Sequence, residues 1–259
     1  MSLIESADGT SIAVHEVGSG PAVVIVNGAF STAKDAVEIA DAFAGAGLRA
    51  VTYDRRARGD SGDTPPVDPL REVEDLAAVI ASVGGVAAVI GHSSGAVLAL
   101  YAAGEGVPVG RLLLSEPPFH FGEDEPDAAL PERLQALVDA GEEAEAVLVF
   151  QREGIGLPEE MIEQIRTSPL FDSLVPLAQS TVYDATLTRQ VSTPTAEMRQ
   201  VEVPVTILCG VQTFPLLTGA ARRLAEAMPA AEFLEVPESV GHRLDPAAAT
   251  RIVAERLQV

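Results

Sequence analysis

A mostly parallel sheet of eight strands, covered by helices on both faces, is the α/β architecture this sequence predicts. Three observations predict it. Short apolar runs rich in β-branched residues alternate with longer helix-like segments, the pattern of parallel strands joined by crossover helices. A pentapeptide of the form G-x-S-x-G, Gly91-His92-Ser93-Ser94-Gly95, stands between one such run and a helix-compatible stretch. Strand signals then fade from about Phe119 to Gln200 and return at Val203. With 259 residues, 47% of them hydrophobic, the chain can build one large domain with a sizeable core.

The elements follow in order. Ser2 to Ser6 and Ser11 to Val17 flank Asp8-Gly9, the strongest short-range hairpin signal. Gly18 to Pro21 is a turn. Ala22 to Val26 is a continuous β-branched run, hence a strand buried on both faces. Asn27-Gly28-Ala29-Phe30 leaves it as a loop, and Ala33 to Ala46 reads as a helix stopped at Gly45 and Gly47. Leu48 to Tyr53 is the next strand. It closes on Asp54 to Gly62, an Arg/Asp-rich run read as a polar loop paired with itself. Leu70 to Val83 is an amphipathic helix with Leu76, Val79, Ile80 and Val83 on one stripe, ended by Gly84-Gly85.

Val86 to Ile90 is the strand before the pentapeptide, and Ala96 to Ala103 the helix after it. Leu112 to Leu114 is a short strand. Pro117-Pro118 cannot continue a central strand, so Glu116 lies at its very end. Acidic helical segments follow at Pro131–Ala140, Glu142–Glu153 and Pro158–Thr167. The sheet resumes at Val203–Gly210, with a helix over Leu216–Met228, a strand over Glu232–Val236, Gly241-His242 in a loop, and a closing helix over Asp245–Leu257. The expected division is a core of residues 1–118 and 201–259 and a helical lid over 119–200.

Seventeen basic against thirty-eight acidic residues leave a net charge of −21, which repels phosphate backbones and anionic lipid. Nucleic acid and membranes are therefore not expected partners. A single cysteine, Cys209, excludes an internal disulfide and a cysteine-based metal site, and no metal or other cofactor is expected. Met1 to Glu5 carries neither a basic region nor a long apolar stretch, so the expected location is cytoplasmic, without a signal peptide. The sequence carries no signal of oligomeric state.

The chemistry gathers at Ser93. A strand, a sharp turn and a helix with serine at the apex lift the hydroxyl clear of its neighbours and aim the next backbone N–H at a developing oxyanion. A serine needs a base within hydrogen-bond reach, and His242, after the last strand, is the histidine in the right topological place. His15 reads as an ordinary strand residue, and His92 as support for the turn. With Asn27-Gly28 after the third strand, the inserted helical segment and Gly241-His242 before the last helix, the chain resembles the α/β-hydrolase superfamily over nearly its whole length. The resemblance implies acyl transfer to water, with the backbone N–H groups of Ala29 and Ser94 as oxyanion donors.

The chain departs from the family pattern where most members carry the acid. The loop after the strand at Val205–Cys209 reads Gly210-Val211-Gln212-Thr213-Phe214 and has no carboxylate. Glu116 is the expected substitute, a placement similar to that of zearalenone-type lactonases. Asp245 or no acid at all are the alternatives, Asp245 being well placed to cap the last helix. The expected activity is cleavage of an uncharged or weakly polar small-molecule carboxylic ester or lactone, in a mainly apolar pocket to which Phe30, Phe119, His120 and Phe214 contribute. The alternatives are a non-catalytic ligand-binding protein of the same fold, or an acyltransferase or lyase using the same serine. Dehalogenation is not expected, because Ser93 stands where that chemistry uses an aspartate.

Overall fold

The computed structural model describes residues 1–258. Its eight strands are β1 (Ser2–Glu5), β2 (Ser11–Gly18), β3 (Ala22–Val26), β4 (Arg49–Tyr53), β5 (Ala87–His92), β6 (Val109–Ser115), β7 (Val205–Gln212) and β8 (Glu232–Val240). They form one sheet in the order β1-β2-β4-β3-β5-β6-β7-β8. The β1–β2 and β2–β4 pairs are antiparallel, and every other pair is parallel.

Side chains alternate between two cores, as the period of two requires. Val24, Val26, Val89, Leu112, Leu114, Ile207 and Cys209 face one layer. Val23, Ile25, Ala88, Ile90, Leu113 and Leu208 face the other. The first layer is covered by α2 (Pro69–Ser82), α3 (Ser94–Gly104) and α10 (Pro215–Ala227), the second by α1 (Val37–Gly45) and α11 (Pro246–Leu257). Helix α3 is apolar all round, and every residue from Ser94 to Ala102 is buried, because α2 and two later helices cover the side turned away from the sheet.

Between β6 and β7 the chain is helical. It runs through α4 (Leu130–Asp139), α5 (Glu143–Val149), α6 (Glu159–Arg166), α7 (Pro169–Leu174), α8 (Ala178–Gln190) and α9 (Ala196–Arg199). Helix α5 continues into a π-helical turn, Phe150–Gly154. These helices have their own cluster, including Leu130, Leu134, Val147, Phe150, Leu174 and Val182, against which Ala29 and Phe30 of the sheet half also pack. Among the described residues, no helix is long and apolar enough to cross a membrane.

Strand order reverses between β3 and β5: β4 lies on one side of β3, while β5 and its successors build outward on the other. In open α/β sheets the crevice at the carboxyl ends of such strands is where ligands bind. Here it is flanked by the loop after β3 and by Ser93 after β5.

Candidate active site

Parallel register assembles the site. Val26 pairs with Gly91, His92 with Ser115, and Ser115 with Leu208, so the ends of β3, β5, β6 and β7 lie side by side. The Ser93 N–H donates to the Ser115 carbonyl at 2.9 Å, and the Glu116 N–H to the Leu208 carbonyl at 2.9 Å. Both residues are thus pinned one step beyond the ladder. The turn at Ser93 is closed by two tight approaches. A Cβ on Gly95 would lie 2.2 Å from the Val26 carbonyl oxygen, and one on Gly28 would lie 2.8 Å from Ser93 Cβ. Only glycine lets the loop after β3 and the start of α3 come this close.

His242 bridges the other two residues. Its Nδ1 lies 2.5 Å from Glu116 Oε2, and its Nε2 lies 3.0 Å from Ser93 Oγ. An ionised carboxylate can only accept, so Nδ1 carries the proton, and Nε2 is left to accept the serine hydroxyl. Glu116 is 2% exposed, and three donors hold it: His242 and the Thr213 hydroxyl (3.0 Å) on Oε2, and the Gly210 N–H (2.9 Å) on Oε1. Burial pushes this carboxyl up, but the hydrogen bonds from His242 and Gly210, the nearby imidazole and Thr213 outweigh it. The group is held below the usual glutamate range.

His92 stands behind His242, with ring centroids 4.6 Å apart. Its Nε2 lies 3.1 Å from the His242 carbonyl, which can only accept; Nε2 therefore carries the proton, and Nδ1 accepts from Ser115 Oγ at 3.2 Å. Burial pushes its pKa down to about 4, and the neighbouring His242 acts in the same direction. It is a neutral brace.

Phe30, Ser93, Glu116 and His242 all have positive φ, at 55°, 54°, 48° and 60°. They are four of the eight non-glycine residues so described, and each conformation costs on the order of 1–3 kcal/mol. Such strain persists only where the surrounding structure imposes it.

Ser93, Ser94, Ala29 and His242 face a cavity of about 630 Å³, a size suited to a small ligand. Its apolar walls come from Phe30, Phe150, Ile155, Leu157, Phe214 and Leu217, and no lysine or arginine is among its described lining residues. Ser94 opens α3, so its N–H has no intrahelical acceptor. His120, on the wall, is 7% exposed, and its Nδ1 has no partner among the described residues.

Two expectations are corrected. Phe119 is not on the wall; it is 1% exposed and packs in the sheet core edge-on to Phe121, its N–H donating to the Pro117 carbonyl at 3.0 Å, because enclosing the whole ring gains more than lining an open cavity. The Arg/Asp-rich loop after β4 holds its own turn through Asp54 and Ser61, but its arginines are not paired within it. Arg55, Arg56 and Arg58 are buried and reach Glu72 and Asp75 on α2, Asp184 on α8, and Asp8. Glu72 and Asp75 share the apolar face of α2 with Leu76 and Val79, and carboxylates on a core stripe were the signal for buried partners. Asp245 caps α11, its Oδ1 accepting the Ala248 N–H at 2.8 Å, so it is engaged away from His242. One group with metal-ligand spacing occurs among the described residues, His15, Asp54 and Asp60. Both Asp54 oxygens already accept backbone N–H groups, from Ala33 and Asp60, which makes it a loop tether.

Against known proteins, the model of the alpha/beta hydrolase family matches residues 23–255. The crystal structure of an alpha/beta hydrolase from Sphaerobacter thermophilus DSM 20745 matches with a TM-score of 0.90 at 36% identity, over 99% of this chain and 100% of that one. A thermophilic esterase from Thermogutta terrifontis (TM-score 0.72, 20% identity, 99% and 97% covered) and the enol-lactonase from Burkholderia xenovorans LB400 (0.69, 17%, 100% and 100%) are similar in fold. None of the curated proteins matches.

Proposed function

This chain belongs to the alpha/beta hydrolase family, and from that premise we propose that it cleaves a carboxylic ester or lactone through an acyl-enzyme on Ser93. The observation that carries the reading is the relay Ser93 Oγ, His242 Nε2, His242 Nδ1, Glu116 Oε2, at 3.0 Å and 2.5 Å. As Oγ attacks the substrate carbonyl, its proton passes to Nε2, and Glu116 stabilises the imidazolium that forms. The carbonyl oxygen becomes an oxyanion facing the N–H groups of Ala29 and Ser94. Collapse expels the alkoxide, which takes the proton from Nε2. Water then repeats the sequence on the acyl-enzyme, releasing the acid and restoring Ser93.

The cavity argues for the substrate class. Apolar walls and the lack of basic side chains among the described lining residues favour an uncharged ester over a carboxylate-bearing one. His120 offers one polar contact, and Phe30 and Phe214 flank the serine side. The helical segment over 119–200 is the lid in this reading, which the contribution of Phe150, Ile155 and Leu157 to the cavity wall supports.

The test is active-site labelling with a panel of neutral esters, lactones and amides. A serine-directed aryl phosphonate is expected to label the protein once, at Ser93, and to abolish turnover. Ser93→Ala should lose labelling and about 10⁶-fold in kcat, the scale for a serine nucleophile. Full labelling of Ser93→Ala, or amide cleavage with no ester or lactone cleaved, would overturn the proposal.

A further inference from the structure

We propose that Arg58, clamped by Asp184 of α8, is a positioning residue that aims the Ala29 N–H at the oxyanion. The inference rests on the acyl-enzyme reading above. It makes the helical segment between β6 and β7 a participant in building the oxyanion hole as well as a cover for it.

Peptide planarity couples the two groups. The Gly28 carbonyl and the Ala29 N–H belong to one planar unit and point in opposite directions, so fixing the first aims the second. Arg58 Nη1 donates to the Gly28 carbonyl at 2.5 Å and to the Ser31 carbonyl at 3.4 Å, while Nη2 donates to Asp184 Oδ2 at 2.7 Å. Arg55 repeats the arrangement one residue back. Its Nη1 lies 3.3 Å from the Asn27 carbonyl, 3.2 Å from Ser94 Oγ and 3.0 Å from Asp184 Oδ1, and Nε and Nη2 hold Glu72. Ser94 Oγ donates to Asp184 Oδ1 at 2.8 Å.

One carboxylate therefore ties both proposed donors: Ala29 through Arg58 and Gly28, and Ser94 through its own hydroxyl. A guanidinium on the carbonyl also polarises the peptide and strengthens its N–H as a donor. The four ionised side chains are all buried, and two positive charges balance two negative ones. The Asp184 carboxylate beside the proposed donors is thus compensated by the two guanidinium groups.

Arg56 is a built-in control. It is as deeply buried and holds Asp75 with two 2.7 Å hydrogen bonds, but its partners are Asp75, Asp8 and the Arg71 carbonyl, none of them in the oxyanion loop. The experiment compares Arg58→Lys, Asp184→Asn and Arg56→Lys, conservative changes measured on the folded fraction of each protein. The readouts are melting temperature, kcat and KM on p-nitrophenyl butyrate, and the rate of Ser93 labelling by an uncharged aryl phosphonate.

All three variants should melt lower. Arg58→Lys and Asp184→Asn should also lose about 10- to 100-fold in kcat and in labelling rate, short of the ~100- to 1,000-fold for deleting a donor. Their KM should move less than threefold, and the inflections of the pH–rate profile should not move. Arg56→Lys should keep kcat within threefold. A labelling rate no lower in Arg58→Lys than in Arg56→Lys, or a loss confined to KM, would overturn the inference alone. A wild type not labelled at Ser93 would overturn the acyl-enzyme reading and this inference with it.

Discussion

In the sheet, a residue's place is set by backbone pairing; in the helices between β6 and β7 it is set mainly by side-chain packing. Ser93 and Glu116 sit one residue past paired positions of β5 and β6, and their own N–H groups extend the ladder. His242 follows β8 by two residues. Helices α4 to α9 have no such ladder. They pack through a cluster of their own, and a buried polar anchor, Asp184, meets two arginines of the sheet half. The difference teaches where variation is tolerated. Every residue of the proposed relay comes from the paired region, while Phe150, Ile155 and Leu157 of the cavity wall come from the unpaired one. Those walls can change shape without moving the residues of the proposed relay.

The largest expected break falls on the paired side. Glu116→Gln should keep the melting temperature within a few degrees and cut kcat about 10⁴-fold, since His242, the proposed base, loses the partner that fixes its tautomer. The Thr213 hydroxyl lies 3.0 Å from the same carboxylate oxygen, so Thr213→Asp in a Glu116→Ala background should recover part of the rate. Activity of Glu116→Gln within a few-fold of wild type would place the acid elsewhere.

Next in size is packing. Leu114 and Leu134 are both fully buried, one under the sheet and one among the helices. Leu114→Ala should cost about 3–5 kcal/mol in a denaturant melt, because strands held by their ladder cannot close over the cavity. Leu134→Ala should fall near 2 kcal/mol and speed limited proteolysis within residues 119–200. Equal losses with unchanged nicking would remove the distinction between the regions.

The smallest expected effect is electrostatic. His92 titrates at about 4 when folded and near 6.5 when not. Between those values the unfolded chain binds a proton that the folded chain refuses, so stability rises with pH there. The contribution is complete above pH 6.5 and is lost as pH falls through 4; it amounts to at most about 3 kcal/mol, less for the part of the ring that water reaches. The carboxyl of Glu116, held low, adds a loss of the same sign further into acid. His92→Gln should flatten the melting-temperature profile between pH 4 and 6.5; an unchanged slope would contradict a neutral, half-buried His92.

The same contrast explains what the sequence made legible. β-branched runs such as Val23–Val26 lie in the sheet for reasons that are local, and β3 runs from Ala22 to Val26 as read. Glu116 could be placed at a strand end because two prolines follow it. Helix α8 was not legible. Ser180, Thr181 and Asp184 are polar and buried, so the helix shows no apolar stripe, and what makes Asp184 tolerable is a pair of arginines about 126–129 residues earlier. For the same reason the arginine loop read as paired with itself: its partners are remote in sequence. Phe119 was misplaced because an aromatic beside a cavity-forming loop carries no mark of which way the chain turns.

The positive φ values at Phe30, Ser93, Glu116 and His242 bear on how the protein fails on heating. At about 1–3 kcal/mol each, the four together approach the ~5–15 kcal/mol by which a domain of this kind is stable at all. The reactive corner is thus a local high point of energy, held up by a sheet with much lower internal cost. Warming should let that corner relax while the ladder beneath it stays intact. Catalytic heat loss is then expected to begin several degrees below the calorimetric transition and to reverse on cooling, a thaw of the site that precedes collapse of the fold.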